Sequence, residues 1–324
     1  MIPNSAKASI PATDPKLIMT ALVPLLVWGT QPAQAQLACG DTVPPGDHVS
    51  LGSDIGPCPE PGPALILVGP VNVNLNGFTV SCSAAITGIE VQGIDARVRN
   101  GVVEDCEDAV VVDGEGQHKL LQLTVRSTQD QIGDRGFRVR SDGNRLINNR
   151  AVEFNGEGFR IEGDDNRLIV NRATANANHG FRVDESNNRL VSNRARGNAG
   201  EGFRLDGDGN RLTNNAAVNN DDEGFRIRDG QNNTLINNRA RENGITDNEA
   251  GIRIQGDGNT LRTNTFVDSF GDGVLVVEGA ENNTIMLNVA VDNEGTDLVD
   301  QNLDCDGNRW SKNVFQTASQ DCIE

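Results

Sequence analysis

The chain has 324 residues, with 28 basic against 46 acidic side chains and a formal charge of -18, so nucleic acid or an anionic membrane surface would meet no net basic footprint. After residue 35 no stretch approaches the roughly 18 consecutive apolar residues of a membrane-spanning helix, which excludes a membrane span there. The three histidines and six cysteines are scattered rather than grouped.

The start of the chain reads as a targeting segment. Lys7 and Lys16 precede an apolar run from Leu17 to Trp28, which is too short to cross a bilayer, and Ala33-Gln34-Ala35 supplies small residues for cleavage before Gln36. Residues 1–35 are therefore expected to be a signal peptide, and the remainder a secreted or periplasmic product. Losing Lys7, Lys16 and Asp14 removes one net positive charge, which moves the total from -18 to -19.

In an exported chain, Cys39, Cys58, Cys82, Cys106, Cys305 and Cys322 are expected to form disulfides, and six cysteines allow fifteen pairings. Residues 36–64 are expected to form an N-terminal cap. From there the chain repeats itself. Asn76-Gly77-Phe78 and Asn100-Gly101-Val102 lie 24 residues apart, as do Cys82 and Cys106, so those two cysteines should stack on adjacent coils and join. Proximity then pairs Cys39 with Cys58 and Cys305 with Cys322.

Further along, the period settles at about 22 residues: Gly136-Phe137-Arg138-Val139 is followed by equivalents at Gly158, Gly180, Gly202 and Gly224, then Gly251 and Gly273. A second block begins at Asn144, Asn166, Asn188 and Asn210, and a third at Asn149, Asn171, Asn193 and Asn215. Phe137-Arg138-Val139-Arg140 alternates as a strand does, with Phe137 and Val139 inward. Asparagine and glycine between blocks tolerate left-handed backbone angles, so each coil can turn its corners. Stacked coils would bring like asparagines within hydrogen-bonding reach, forming ladders. Insertions at Ser127 to Arg135 and at Gly244 to Ala250 should leave from one edge. The expected fold is all-β: a single right-handed parallel β-helix over residues 65–315, of roughly 10–11 coils with about 22 residues each, ending in a C-terminal cap at 316–324.

The run Asn74-Leu75-Asn76-Gly77-Phe78-Thr79-Val80, the Arg99-Asn100-Gly101 after it and the Asn-x-Leu/Ile-x-x-Asn repeats resemble pectin-lyase-like parallel β-helix proteins, especially those with NosD-type repeats. The resemblance implies the fold. It leaves activity open, because that superfamily includes lyases, hydrolases, epimerases, tailspikes and proteins without known activity.

Arg138, Arg160, Arg182, Arg204, Arg226 and Arg253 should form an outward column able to grip the carboxylates of an acidic polysaccharide. Glu157, His179 and Glu201 precede the coil-starting glycines beside it, and His179 is the histidine with charged neighbours. An exposed ladder of ion pairs, each worth about 0–1 kcal/mol, explains the same pattern. Repetition also places carboxylates such as Glu201 and Glu223 about 5 Å apart, a glycosidase-like spacing that any acidic column would share.

A uronate lyase or epimerase needs a base at the α-proton and a cation on the carboxylate. No compact, non-repeating cluster of that kind is visible. The Asp-Pro-His-Asp motif of mannuronan epimerases and the Asn-Thr-Asp and Gly-His-Gly motifs of polygalacturonases are missing. Copper lacks its soft ligands. No cofactor is expected, although Gly207-Asp208-Gly209-Asn210 and Gly256-Asp257-Gly258-Asn259 leave calcium open through corner carboxylates. The expectation is a non-catalytic secreted scaffold binding acidic polysaccharide along its arginine face; the alternative is a polysaccharide-active lyase, hydrolase or epimerase.

Overall fold

Phe159, Arg160 and Ile161 alternate inward, outward and inward along the strand Phe159–Ile161, and the neighbouring coils repeat the pattern at the same place. The computed structural model describes residues 34–129 and 133–324; the signal-peptide reading of residues 1–35 falls almost wholly outside them, as do positions 130–132 of the first insertion. The chain winds as a right-handed β-solenoid of about 12 turns with about 23 residues per turn. All the pairings are parallel and fall into two sheets. Among the described residues the second sheet takes one strand per coil and has 12 strands; the first takes the rest and has 22.

The register is that of the sequence repeat. Phe137, Phe159, Phe181, Phe203 and Phe225 pair in succession, and Ile252, Val274 and Leu298 continue the column. All five rings are buried, with centroids 4.7–5.0 Å apart and planes within 9° of parallel. Leu146, Leu168, Leu190 and Leu212 form a second buried column, and Ala151, Ala173, Ala195 and Ala217 a narrower one. Stacking starts ahead of residue 65, since Asp41–Val43 already pairs with Leu65–Val68, and His48–Leu51 with Asn72–Asn74. Both insertions occupy the same connection of the coil, between the last strand on the first sheet and the strand on the second.

The asparagine ladder is continuous. Asn149 Nδ2 donates to Asn171 Oδ1 at 3.1 Å, Asn171 to Asn193 at 3.0 Å and Asn193 to Asn215 at 3.0 Å. Each amide nitrogen also reaches a backbone carbonyl, as Asn193 Nδ2 does with Leu168 O at 2.9 Å. A further ladder, through Asn176, Asn198, Asn220 and Asn243, runs along the connection that follows the last strand of each coil on the first sheet. The left-handed angle itself falls one residue before the first ladder, at Asn148, Val170, Ser192, Asn214 and Asn237. The ladder asparagines therefore serve as inward amides, and their neighbours make the bend.

Three disulfides tie the coils: Cys39–Cys58, Cys82–Cys106 and Cys305–Cys322. Cys82 and Cys106 have Cα atoms 5.0 Å apart, the coil-to-coil distance their common spacing implies. Near the C-terminus Trp310 is buried, and its indole N–H donates to Asp300 Oδ2 at 2.9 Å.

Candidate functional site

The predicted arginine column lies on the outer face of the second sheet, with Arg138, Arg160, Arg182, Arg204, Arg226 and Arg253 at successive register positions. It is not a free cationic strip. Arg138 Nε donates to Glu162 at 2.8 Å, and Arg160 meets Glu162 at 3.0 Å and Asp184 at 2.9 Å. Arg182 meets Asp184 at 2.6 Å and Asp206 at 3.2 Å; Arg204 meets Asp206 at 3.0 Å. Farther along, Arg226 contacts Glu201 at 3.2 Å and Arg253 contacts Glu249 at 3.3 Å. The side chains are only 11–28% exposed. A carboxylate between each pair of guanidinium groups relieves repulsion that stacked like charges would otherwise impose.

Glu157, His179 and Glu201, expected at the surface, are buried, with Glu201 and Glu223 each 1% exposed. Packing explains this. The glycine after each of them packs tightly across its own coil: a Cβ on Gly158, Gly180, Gly202 or Gly224 would come within 2.7–2.8 Å of the Cβ of Ala173, Ala195, Ala217 or Ala240. That draws the preceding residue under the arginines. Glu157 meets Arg135 at 3.2 Å and Arg182 at 3.8 Å. His179 Nδ1 pairs with the Glu201 carboxylate one coil on.

The two adjacent glutamates titrate in opposite directions. Burial alone would raise Glu201, but the His179 hydrogen bond and charge, together with Arg204, outweigh it and bring it to about 2. For Glu223, burial and then the Glu249 charge raise the pKa to about 8 against the pull of Arg226. Its Oε1 is buried without a hydrogen bond, and the Arg253 guanidinium stands 3.8 Å away. At neutral pH one carboxyl is thus ionised and its neighbour protonated, which is an acid–base division. Both are sealed from solvent, however, and three surface depressions of about 330, 290 and 350 Å³ lie elsewhere.

His118 and His48 are separated from this cluster. His118 is buried, with Nδ1 accepting from Ala96 N–H at 3.0 Å and Nε2 2.9 Å from Asp113 O, and burial lowers its pKa. It heads the Asn144 column, whose side chain accepts from His118 N–H at 2.9 Å. His48 lines the 330 Å³ depression with Asp95, Arg97 and Lys119. Calcium finds no support: among the described residues no group of three or more His, Cys, Asp or Glu could hold a metal ion. Asp208 and Asp257 instead accept backbone N–H groups of the next coil, from Gln231 at 2.7 Å and Glu281 at 2.8 Å.

A different set of arginines was not singled out from sequence. On the first sheet, Lys119, Arg145, Arg167, Arg189 and Arg211 occupy one row, and Arg150, Arg172 and Arg194 another across the corner. The arginines of both rows are exposed. The visible signal was an arginine directly after Asn144, Asn166, Asn188 and Asn210 and after Asn149, Asn171 and Asn193; what the repeat did not reveal is that, among the described residues, no carboxylate oxygen lies within 4.0 Å of them.

This geometry makes the molecule a parallel β-helix protein with charged outer faces. The chain belongs to the family described as the right handed beta helix region, whose model matches residues 87–240, 135–290 and 193–323. No curated protein sequence matches it. Among solved structures it is similar to the A-module of a mannuronan C-5 epimerase from Azotobacter vinelandii, at 16% identity and TM-score 0.52, covering 87% of this chain and 91% of that one. It is also similar to the Dettilon tailspike protein, at 13% identity and TM-score 0.57 over 87% of this chain and 60% of that one. An alginate lyase solved in a complex with G6 matches at 13% identity and TM-score 0.52, covering 89% of this chain and 82% of that one. At such identities the likeness is one of fold.

Proposed function

We propose that the chain is an exported, non-catalytic β-helix scaffold that holds a polysaccharide along the outer face of its second sheet, around Arg160, Arg182 and Arg204. The burial of the acid–base groups carries this reading: Glu201 and Glu223 are each 1% exposed, beyond the reach of a sugar bound outside. What the face does present, at every coil, is a mostly buried guanidinium donor, 22–25% exposed at Arg160 and Arg182, beside a carboxylate acceptor. Such pairs suit the hydroxyl groups of a glycan. The polysaccharide-related neighbours support this ligand class, and the three disulfides support an oxidising compartment.

Assays for depolymerisation and C-5 epimerisation of alginate, pectin and neutral glycans should yield no product. A glycan array at low salt should show binding that Arg182→Ala weakens; an empty array would remove the binding role. A second reading, a polysaccharide-active enzyme, is favoured by the opposed ionisation of Glu201 and Glu223. Product formation abolished by His179→Ala or Glu201→Gln would establish it and overturn the first.

A further inference from the structure

Like charges stacked at strand spacing repel unless something lies between them. Carboxylates of the chain do this on the second sheet. On the first sheet they do not: Arg145, Arg167, Arg189 and Arg211 follow one another in register and are exposed, and among the described residues none has a carboxylate oxygen within 4.0 Å. Across the corner, Arg150, Arg172 and Arg194 repeat the arrangement, again without acidic partners. Arg150 and Arg172 line the open depression of about 290 Å³ together with Thr124, Asn148 and Asn149. In a chain of charge -18, an unneutralised double row of guanidinium groups is a local inversion of sign.

We infer that this double row is a binding strip for a linear polyuronate laid along the axis of the solenoid, with sugar carboxylates between the arginines. The strip lies on a different sheet from the face described above and does not depend on it. Successive coils rise by about 4.8 Å, comparable to the advance of one sugar along an extended hexuronate chain, which carries one carboxylate per sugar. Arginine's planar fork matches a carboxylate in two parallel hydrogen bonds. Single-stranded nucleic acid fits less well: among the described residues no phenylalanine or tryptophan is exposed beside the rows to stack a base, and the rest of the acidic chain repels a phosphate backbone.

The test titrates the full chain with polygalacturonate and with the same polymer fully methyl-esterified, at low and high salt, with single-stranded DNA and phosphatidylserine vesicles in parallel. Binding to polygalacturonate is expected at low salt, with loss on esterification and weakening as salt screens the charges. Replacing Arg167, Arg172, Arg189 and Arg194 together by Gln should weaken binding by about tenfold or more, whereas Arg228→Gln should leave it unchanged. The fourfold Gln variant should melt no lower than the parent, because it relieves repulsion. Should it fail to fold, the fourfold Lys variant decides: charge kept but fork lost, it should bind several-fold more weakly. Equal affinity for the esterified polymer, undiminished binding by the variants, or tighter binding of DNA or vesicles would overturn the inference. Binding of neutral glycans on the second sheet is a separate readout, so either site can fail without the other.

Discussion

Phe181 and Phe203, one coil apart, lie with ring centroids 4.8 Å apart and planes 4° from parallel. Phe159 completes the stack on the other side at 4.7 Å, and all three rings are fully buried. Phe181→Ala should therefore open a gap that neighbours held in a β-ladder cannot close, at a cost of about 3–5 kcal/mol. Urea unfolding followed by circular dichroism measures it; a loss below about 1 kcal/mol would mean that the coils collapse freely, against the close packing described here.

The ladder asparagines support a sharper expectation. Asn193 Oδ1 accepts from Asn171 N–H at 2.8 Å and from Asn171 Nδ2 at 3.0 Å, while its own amide reaches Leu168 O at 2.9 Å. Asn193→Ala strands several buried polar groups at once, each costing about 1–3 kcal/mol when left unsatisfied. The exposed Asn214, at the bend before the next ladder position, makes no such contribution to the interior. A midpoint shift for Asn193→Ala no larger than that of Asn214→Gly would contradict the ladder as a stabilising element.

Val170 tests the bend itself. Its φ is 57° and its side chain is 40% exposed, whereas the same corner carries Asn148, Asn214 and Asn237 in other coils. A β-branched residue in the left-handed region is strained by roughly 1–2 kcal/mol. Val170→Asn should raise the thermal midpoint, and a lowered midpoint would show that the exposed valine packs usefully after all.

What the sequence made legible was whatever repeats with the coil. Phe159 above Phe137, Asn171 above Asn149 and Cys106 above Cys82 all follow from equal spacing, because a solenoid converts sequence distance into height. The cross-section was less legible. The spacing of Glu201 and Glu223 shows that they stack; it does not show that Gly202 and Gly224 let the coils close over them, nor that Arg226 covers them. Part of the charge balance was legible as well: Asp184 and Asp206, two residues along from Arg182 and Arg204, mark the ion-pair ladder that the repeat suggests, and both meet Arg182. Less legible is that the exposed Arg189 has, among the described residues, no carboxylate oxygen within 4.0 Å, which depends on lateral neighbours and not on period.

Glu201 and Glu223 should act on stability in opposite pH windows. Glu201, depressed to about 2 from an ordinary 4.5, binds its proton less tightly when folded, so its contribution is complete above pH 4.5 and disappears as pH falls toward 2. Glu223, raised to about 8, holds its proton more tightly when folded; its contribution is complete below pH 4.5 and fades as pH rises through 8. Glu223→Gln keeps the neutral form at every pH and so removes the second effect. The variant should gain on the parent in thermal midpoint between pH 5 and 9, with the difference levelling off above the folded pKa, while Glu201→Gln should lose at neutral pH and converge with the parent toward pH 2. Parallel midpoint curves for parent and Glu223→Gln across pH 5 to 9 would mean that Glu223 titrates normally, and with it the acid–base division between the two glutamates would fall.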